Sequence, residues 1–363
     1  MKKLIEKTTL GGVNVANRFV RSATWENMAE YDGSATEKLT GLFVDFAKGG
    51  VGMTITGFAR ITEDDLVAPR MIGMHDDQYI DGYAELTDRV HAAGGRIAVQ
   101  LAAGSSQTKY RARRRRMTGP SAVEDKMYRV VPEEMSMDDI KALKTAFAQA
   151  ALRAKKSGFD AVQLHAAHGY MLSKFLNPHY NRRTDRYGGP IKNRARILYE
   201  LYDEIRGKCG DFPLYIKINS RDFNGDDAEM SFEESLSVCC RLSQLGIDAI
   251  EVSGGTAGSP EAQRPIRNAR KEADQSYFFN EAAVVAAAVE SDVISVGGHR
   301  SFEWMQEKLH ETEVGFFSMS RPFTCEHDLV NRWQKYPNYK PMCISCNKCW
   351  SPHGTSCILN ENK

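Results

Sequence analysis

The chain has 363 residues, 42% hydrophobic and 26% charged, with a formal net charge of +1 at pH 7. Such a balance belongs to an ordinary globular enzyme and leaves no global field to draw it to nucleic acid or to a membrane surface. No run approaches the ~18 apolar residues of a membrane span, and the stretch after Lys3 is too short and too polar for a signal peptide, so a cytoplasmic protein is expected.

In chain order, the first element is a small hairpin in "LIEKTTLGGVNVANR", turning at Gly11 and Gly12. Short β-rich runs then alternate with helical patterns. Strands are predicted at Phe19–Ser22, Val51–Gly57, Arg96–Leu101, Ala161–Leu164, Leu214–Asn219, Ala249–Val252, Val293–Val296 and Gly315–Met319. Strands separated by helices predict an α/β fold with a parallel sheet, and their number is the one that closes a (β/α)8 TIM barrel. Among the helices, "SMDDIKALKTAFAQAALRAKKSG" has Ser136 as N-cap and Gly158 just past its last turn. Two long insertions, Ser105–Glu134 and Ser253–Asn280, fall in βα loops, the side of a barrel where active sites are built. The barrel is expected to occupy residues 1–340 and a cysteine-rich tail residues 341–363.

Each predicted strand delivers particular chemistry at its C-terminal end. The first gives Ser22, Ala23 and Thr24, the second Gly57, the third Gln100, and the fifth Lys217. The seventh gives Gly298, and the eighth Ser320 and Arg321. Small residues, hydrogen-bonding side chains and cations on one barrel face suit a flat polar heterocycle carrying a phosphate. The fourth strand ends in "HAAHGY", which crowds His165, His168 and Tyr170 together. Two imidazoles and a phenol can grip a carbonyl or anion and hand it a proton. No glutamate or third ligand stands nearby as in zinc motifs, so the histidine pair does not read as a metal site.

These segments resemble those of the old yellow enzyme family of FMN-dependent oxidoreductases. The resemblance covers nearly the whole chain. It runs through "NRFVRSATW" from Asn17, "GGVGMTITG" from Gly49, "GGRIAVQL" around Gln100 and "TGPSAV" from Thr118. It continues in "HAAHGYMLSKFLNPHYNRRTDRYGG" from His165, "VGGHRS" from Val296 and "FFSMSRPF" from Phe316. It implies FMN at the barrel mouth. Ser22, Ala23, Thr24 and Gly57 would line the flavin ring, Gln100 would bond its pyrimidine edge, and Gly298, Ser320 and Arg321 would hold the phosphate. Lys217 stands where the family usually has Arg; it keeps the charge that favours anionic reduced flavin but not the planar fork. His165 and His168 match the pair that binds the substrate's activating carbonyl or carboxylate, and Tyr170 matches the proton donor. The chain departs from the family at Ala103 and Ser106, in "QLAAGSS", and at Trp25, where an indole would shield the flavin or narrow the pocket. The implied reaction is reduction of an activated alkene (enone, enoate or enoyl thioester) with NADH or NADPH as reductant. An amine or other dehydrogenase, and an electron-transfer subunit of a larger flavoprotein, are the alternatives.

Of eight cysteines, Cys343, Cys346, Cys349 and Cys357 crowd the end of the chain. In a cytosolic protein this pattern reads as metal ligation before disulfides. "CISCNKCWSPHGTSCILN" resembles the segment after the barrel in 2,4-dienoyl-CoA reductase, 2-enoate reductase and trimethylamine dehydrogenase, where four cysteines hold a 4Fe–4S cluster. Here the last gap is shorter than in those enzymes, the sequence runs to Lys363 without their downstream region, and no G-x-G-x-x-G fingerprint is present. A cluster, a zinc site and a reduced free-thiol tail remain open, as do a homo-oligomer and a flavoprotein partner. Finally, "KYRARRRR", Lys109–Arg116, concentrates cations on a βα loop and is read either as a solvated face or as an anion clamp at the barrel mouth.

Overall fold

The computed structural model describes residues 1–223, 225 and 228–360. Strands β1 (Thr8–Leu10) and β2 (Val13–Val15) form the antiparallel hairpin, with Leu10 opposite Val13. Gly11 and Gly12 supply the positive φ angles, +48° and +86°, that a two-residue hairpin turn requires. The barrel strands are β3 (Phe19–Arg21), β4 (Met53–Arg60), β5 (Ile97–Ala102), β6 (Ala161–Ala166), β7 (Leu214–Asn219), β8 (Ala249–Ser253), β9 (Asp292–Val296) and β10 (Phe316–Met319). Each pairs in parallel with its sequence neighbour, and β10 returns to β3, so among the described residues these eight strands close a (β/α)8 barrel. The expected strands are all present; their ends differ by up to three residues, most at β4, which runs on to Arg60.

The hairpin seals the N-terminal end of the barrel. Leu10, Val13 and Val15 pack against inward residues Val20, Met53, Ile55, Ala98, Ala161, Tyr215, Ala249, Ile294 and Phe316. Tyr215 Oη donates to Leu10 O at 2.7 Å. With that end filled by apolar side chains, the opposite end is left for polar groups. A second, larger core lies between the barrel and its helices. The helix Met137–Lys156 shows how the sequence builds that layer. Ser136 and Asp139 form a reciprocal capping box, and Ile140, Leu143, Phe147, Ala151 and Ala154 recur at helical spacing on the buried face.

The segment after the last barrel helix folds back over the C-terminal face of the barrel. Thr355 N donates to Glu26 O at 2.8 Å, Thr355 Oγ1 to Trp25 O at 2.7 Å, and Asn27 Nδ2 to Ser351 O at 3.1 Å. Over its described residues 341–360, the cysteine-rich tail is therefore packed on the barrel. Among the described residues no helix is long and apolar enough to cross a membrane.

Candidate active site

A cavity of about 780 Å³ opens at the C-terminal ends of the barrel strands. Ser22, Ala23, Thr24, Gln100, His165, His168, Tyr170, Lys217, Gly298, Ser320 and Arg321 all line it. Gly57 does not. Its N–H donates to the Glu26 carboxylate at 2.9 and 3.1 Å, and a Cβ there would meet Glu26 Oε2 at 2.5 Å and Thr24 O at 2.7 Å. Gly57 is thus held against Glu26, which is itself paired with Arg21 at 2.7 Å.

The crowding of "HAAHGY" has a backbone cause. His165 points inward from β6, and the chain then reverses through His168 at φ +62° and Gly169 at φ +85°. A left-handed non-glycine residue is a strained feature that tends to mark functional sites. A Cβ on Gly169 would approach Gln107 Oε1 to 2.8 Å, so only glycine fits there. The reversal is held by His168 N to Asn219 Oδ1 at 3.2 Å and by Gln107 Nε2 to His168 O at 2.8 Å. It packs the three side chains together: His165 and His168 meet edge to face with ring centroids 5.2 Å apart, and His165 and Tyr170 are tilted with centroids 4.5 Å apart.

Burial, reinforced by neighbouring positive groups including Lys217, holds both imidazoles well below the usual histidine range, so they are neutral hydrogen-bonding groups at neutral pH. His168 Nε2 is engaged with Ser253 Oγ at 2.7 Å. His165 Nδ1 is buried with no partner. An orphaned polar atom of this kind in a cavity wall calls for a ligand. Burial, with a smaller contribution from Tyr128, raises the Tyr170 phenol above its ordinary range, so it keeps its proton.

The floor is a polar chain that the sequence reading did not find. Gln100 Nε2 donates to Gln163 Oε1, Gln163 Nε2 to Glu251 Oε2, and Ser22 Oγ to Glu251 Oε1, each at 2.8 Å. Lys217 Nζ donates to Ser22 Oγ at 2.8 Å and lies 3.3 Å from Glu251 Oε1. Glu251 sits in the otherwise apolar "AIEVS" of β8, in register with Lys217 on β7. A carboxylate in a buried strand, two strands from the histidines, was the signal available. Ser22 lines the cavity, but its hydroxyl is already committed to this network.

One wall is apolar. Trp25 stacks on Phe58 (centroids 6.4 Å apart, planes 11° apart), and Phe58 packs against Tyr170 at 5.8 Å. Trp25 Nε1 donates to Pro69 O at 3.0 Å, which locks the indole in place. Ser106 accepts from Lys174, itself paired with Asp125 at 2.7 Å. Gly297, Gly298, Arg300, Ser320 and Arg321 also line the cavity, with Arg300 bonded to the carbonyls of Ala269, Pro341 and Cys343. Arg321 Nη1 donates to Arg267 O at 2.8 Å and Asn347 Oδ1 at 2.5 Å.

The family profile of NADH:flavin oxidoreductases and NADH oxidases matches residues 3–338. The chain belongs to that family. It is 29% identical to the NADH oxidase of Thermoanaerobacter brockii over 95% of this chain and 52% of that protein. It is 32% identical to the NADPH dehydrogenase of Bacillus subtilis (strain 168) over 70% of this chain and 74% of that protein. A solved 2-naphthoyl-CoA reductase, in complex with 2-naphthoyl-CoA, shares the fold with a TM-score of 0.88 at 22% identity, over 96% of this chain and 54% of that one. The chain thus spans about half the length of the NADH oxidase it matches. The residues present fit a flavin. An orphaned His165 Nδ1 and an orphaned Ser318 Oγ are buried in the walls, a cation stands over the floor, and a Gly-Arg cradle closes one end.

The cysteine tail behaves differently. Cys343 and Cys357 are buried against Cys325, a thiol outside the expected set, while Cys346 and Cys349 are partly exposed. Among the described residues no three His, Cys, Asp or Glu side chains converge as a metal-binding group. The structure thus gives no support to a 4Fe–4S cluster on Cys343, Cys346, Cys349 and Cys357, and it places a further thiol, Cys325, against Cys343 and Cys357.

Proposed function

We propose that the protein is an FMN-dependent NAD(P)H oxidoreductase that reduces the C=C bond of an activated alkene. The observation that carries this reading is the convergence of neutral His165, neutral His168 and protonated Tyr170 on one cavity with Lys217. FMN, when bound, supplies the hydride. His165 and His168 bind the oxygen of the activating carbonyl or carboxylate and stabilise the negative charge it gains. Tyr170 holds the proton for the α-carbon. Ala23, Thr24 and Gln100 lie where the ring would be held, and Gly298, Ser320 and Arg321 where the phosphate would be held. Lys217 offers positive charge near the reduced ring, offset by Glu251. The Trp25–Phe58 wall excludes water from the substrate's apolar body.

The lining, among the described residues, holds no Asp or Glu to pair with an ammonium group. This favours a carbonyl or anionic substrate over amine oxidation. Free thiols throughout the chain support a reducing, cytoplasmic location as part of the same proposal. The test is acid release of the cofactor followed by anaerobic assay of the yellow protein with NADH, NADPH and a panel of enones, enoates and enoyl thioesters. FMN and turnover of at least one alkene class are expected. FAD, or reduction of the flavin with no alkene reoxidising it, would overturn the proposal.

A further inference from the structure

The cavity carries more positive charge than one flavin phosphate uses. Lys109, Lys217, Arg264, Arg300 and Arg321 line it. Lys217 is balanced by Glu251, Arg321 sits with Gly298 and Ser320 in the cradle proposed for FMN, and Arg300 is bonded to the carbonyls of Ala269, Pro341 and Cys343. Lys109 and Arg264 belong to none of these groups. They come from the loops after β5 and after β8, three strands apart around the barrel, and reach the same cavity.

The arginine run itself does other work than its sequence suggests. Arg115 donates to Asp64 O at 2.7 Å and Asp65 Oδ1 at 2.9 Å, with its side chain only 6% exposed. Arg116 pairs with Glu133 at 2.7 Å and Asp139 at 2.8 Å. These two residues staple the loop down. Lys109, Arg113 and Arg114 make no ion pair among the described residues, and of these only Lys109 lines the cavity. Arg264 is held ready: its Nε donates to Ser259 O at 3.0 Å and its carbonyl accepts from Arg267 Nε at 2.9 Å. Neither of its Nη groups has a protein partner among the described residues. Asp65 is consumed by Arg115 and by Gly104 N–H at 2.8 Å.

We propose that Lys109 and Arg264 form a second anion subsite, at the cavity mouth, that takes the pyrophosphate of a nucleotide-bearing reactant. The proposal rests on the reading of the cavity as a flavin site, because only then is the cradle of Gly298, Ser320 and Arg321 already used. A guanidinium grips phosphate oxygens in pairs, and an ammonium adds a movable point charge. The same adenosine diphosphate chemistry occurs in a nicotinamide cofactor and in a coenzyme A thioester.

Calorimetric titration of the FMN-loaded protein with ADP, coenzyme A and NAD⁺, each alone, tests the subsite without turnover. The wild-type protein is expected to bind ADP and at least one of the larger probes. The double variant Lys109→Ser/Arg264→Ser is expected to weaken that binding by about tenfold or more, and the control Arg113→Ser/Arg114→Ser to leave it unchanged. The probe whose affinity falls identifies the source, coenzyme A for a thioester substrate and NAD⁺ for the reductant. Absence of ADP binding to the wild-type protein, equal binding by the double variant, or an equal loss in the control would overturn the subsite. Failure to reduce any alkene with this binding intact would count against the proposed reaction instead.

Discussion

Replacing Lys217 with Met should strand a carboxylate inside the barrel. Glu251 is fully buried, and its charged partner is Lys217 Nζ at 3.3 Å, assisted by Ser22 and Gln163 at 2.8 Å each. Unit charges at that separation attract by about 5 kcal/mol at an effective dielectric of 20. Removing one partner of a buried pair typically costs roughly 3–5 kcal/mol, because the other is left uncompensated, whereas replacing both with neutral groups costs far less. Lys217→Met and Glu251→Gln are therefore each expected to lose about 3 kcal/mol or more, and the double variant to lose less than the sum by at least ~2 kcal/mol. Urea unfolding of the FMN-loaded proteins, followed by far-UV circular dichroism, measures all four corners of the cycle. Single losses below about 1 kcal/mol that simply add in the double variant would show that the two charges are not coupled, and the account of the cavity floor would be wrong.

Other outcomes follow from particular residues. Gly11→Ala places a Cβ at φ +48°, 2.5 Å from Tyr215 Cε1, and should destabilise the protein by about 1–3 kcal/mol in thermal unfolding without changing the flavin spectrum. Ser253→Ala removes the 2.7 Å bond that orients His168 and should weaken binding of a phenolate ligand, seen as a charge-transfer band, by about tenfold. His299 is enclosed by Ser276 and Ser295, and burial holds it at about 4, below the ordinary 6.5. The unfolded chain therefore takes up this proton first as pH falls. Stability from His299 is full above pH 6.5 and declines to pH 4, by roughly 3 kcal/mol. His299→Gln should flatten the dependence of unfolding free energy on pH across that window; an unchanged slope would assign the acid sensitivity elsewhere.

Periodicity made the scaffold legible. Alternating strand and helix patterns located all eight barrel strands, the Gly11–Gly12 turn and the capped helix after Ser136, because local propensity and tertiary packing agree there. The site was legible where chemistry is concentrated in one segment, as at His165, His168 and Tyr170. What escaped was what only closure of the barrel creates. Glu251 and Gln163 look like isolated polar residues in separate strands until register brings them beside Lys217 and Gln100. The contact of Gly57 with Glu26, thirty-one residues earlier, is likewise one that only the fold creates. The arginine run looked uniform because nothing local shows that Asp65, Glu133 and Asp139 fold back onto Arg115 and Arg116. Spacing in the tail does not reveal that Cys325 packs with Cys343 and Cys357.

The central claim is that Tyr170 supplies the proton to a substrate held by His165 and His168. Stopped-flow mixing of the photoreduced, FMN-loaded protein with an alkene that the wild-type protein reduces isolates that step from reduction by the nicotinamide. Tyr170→Phe is expected to slow flavin reoxidation by the alkene by roughly 100- to 10,000-fold while leaving reduction by NADH or NADPH at the wild-type rate. Wild-type reoxidation rates in the variant, or equal losses in both half-reactions, would contradict it.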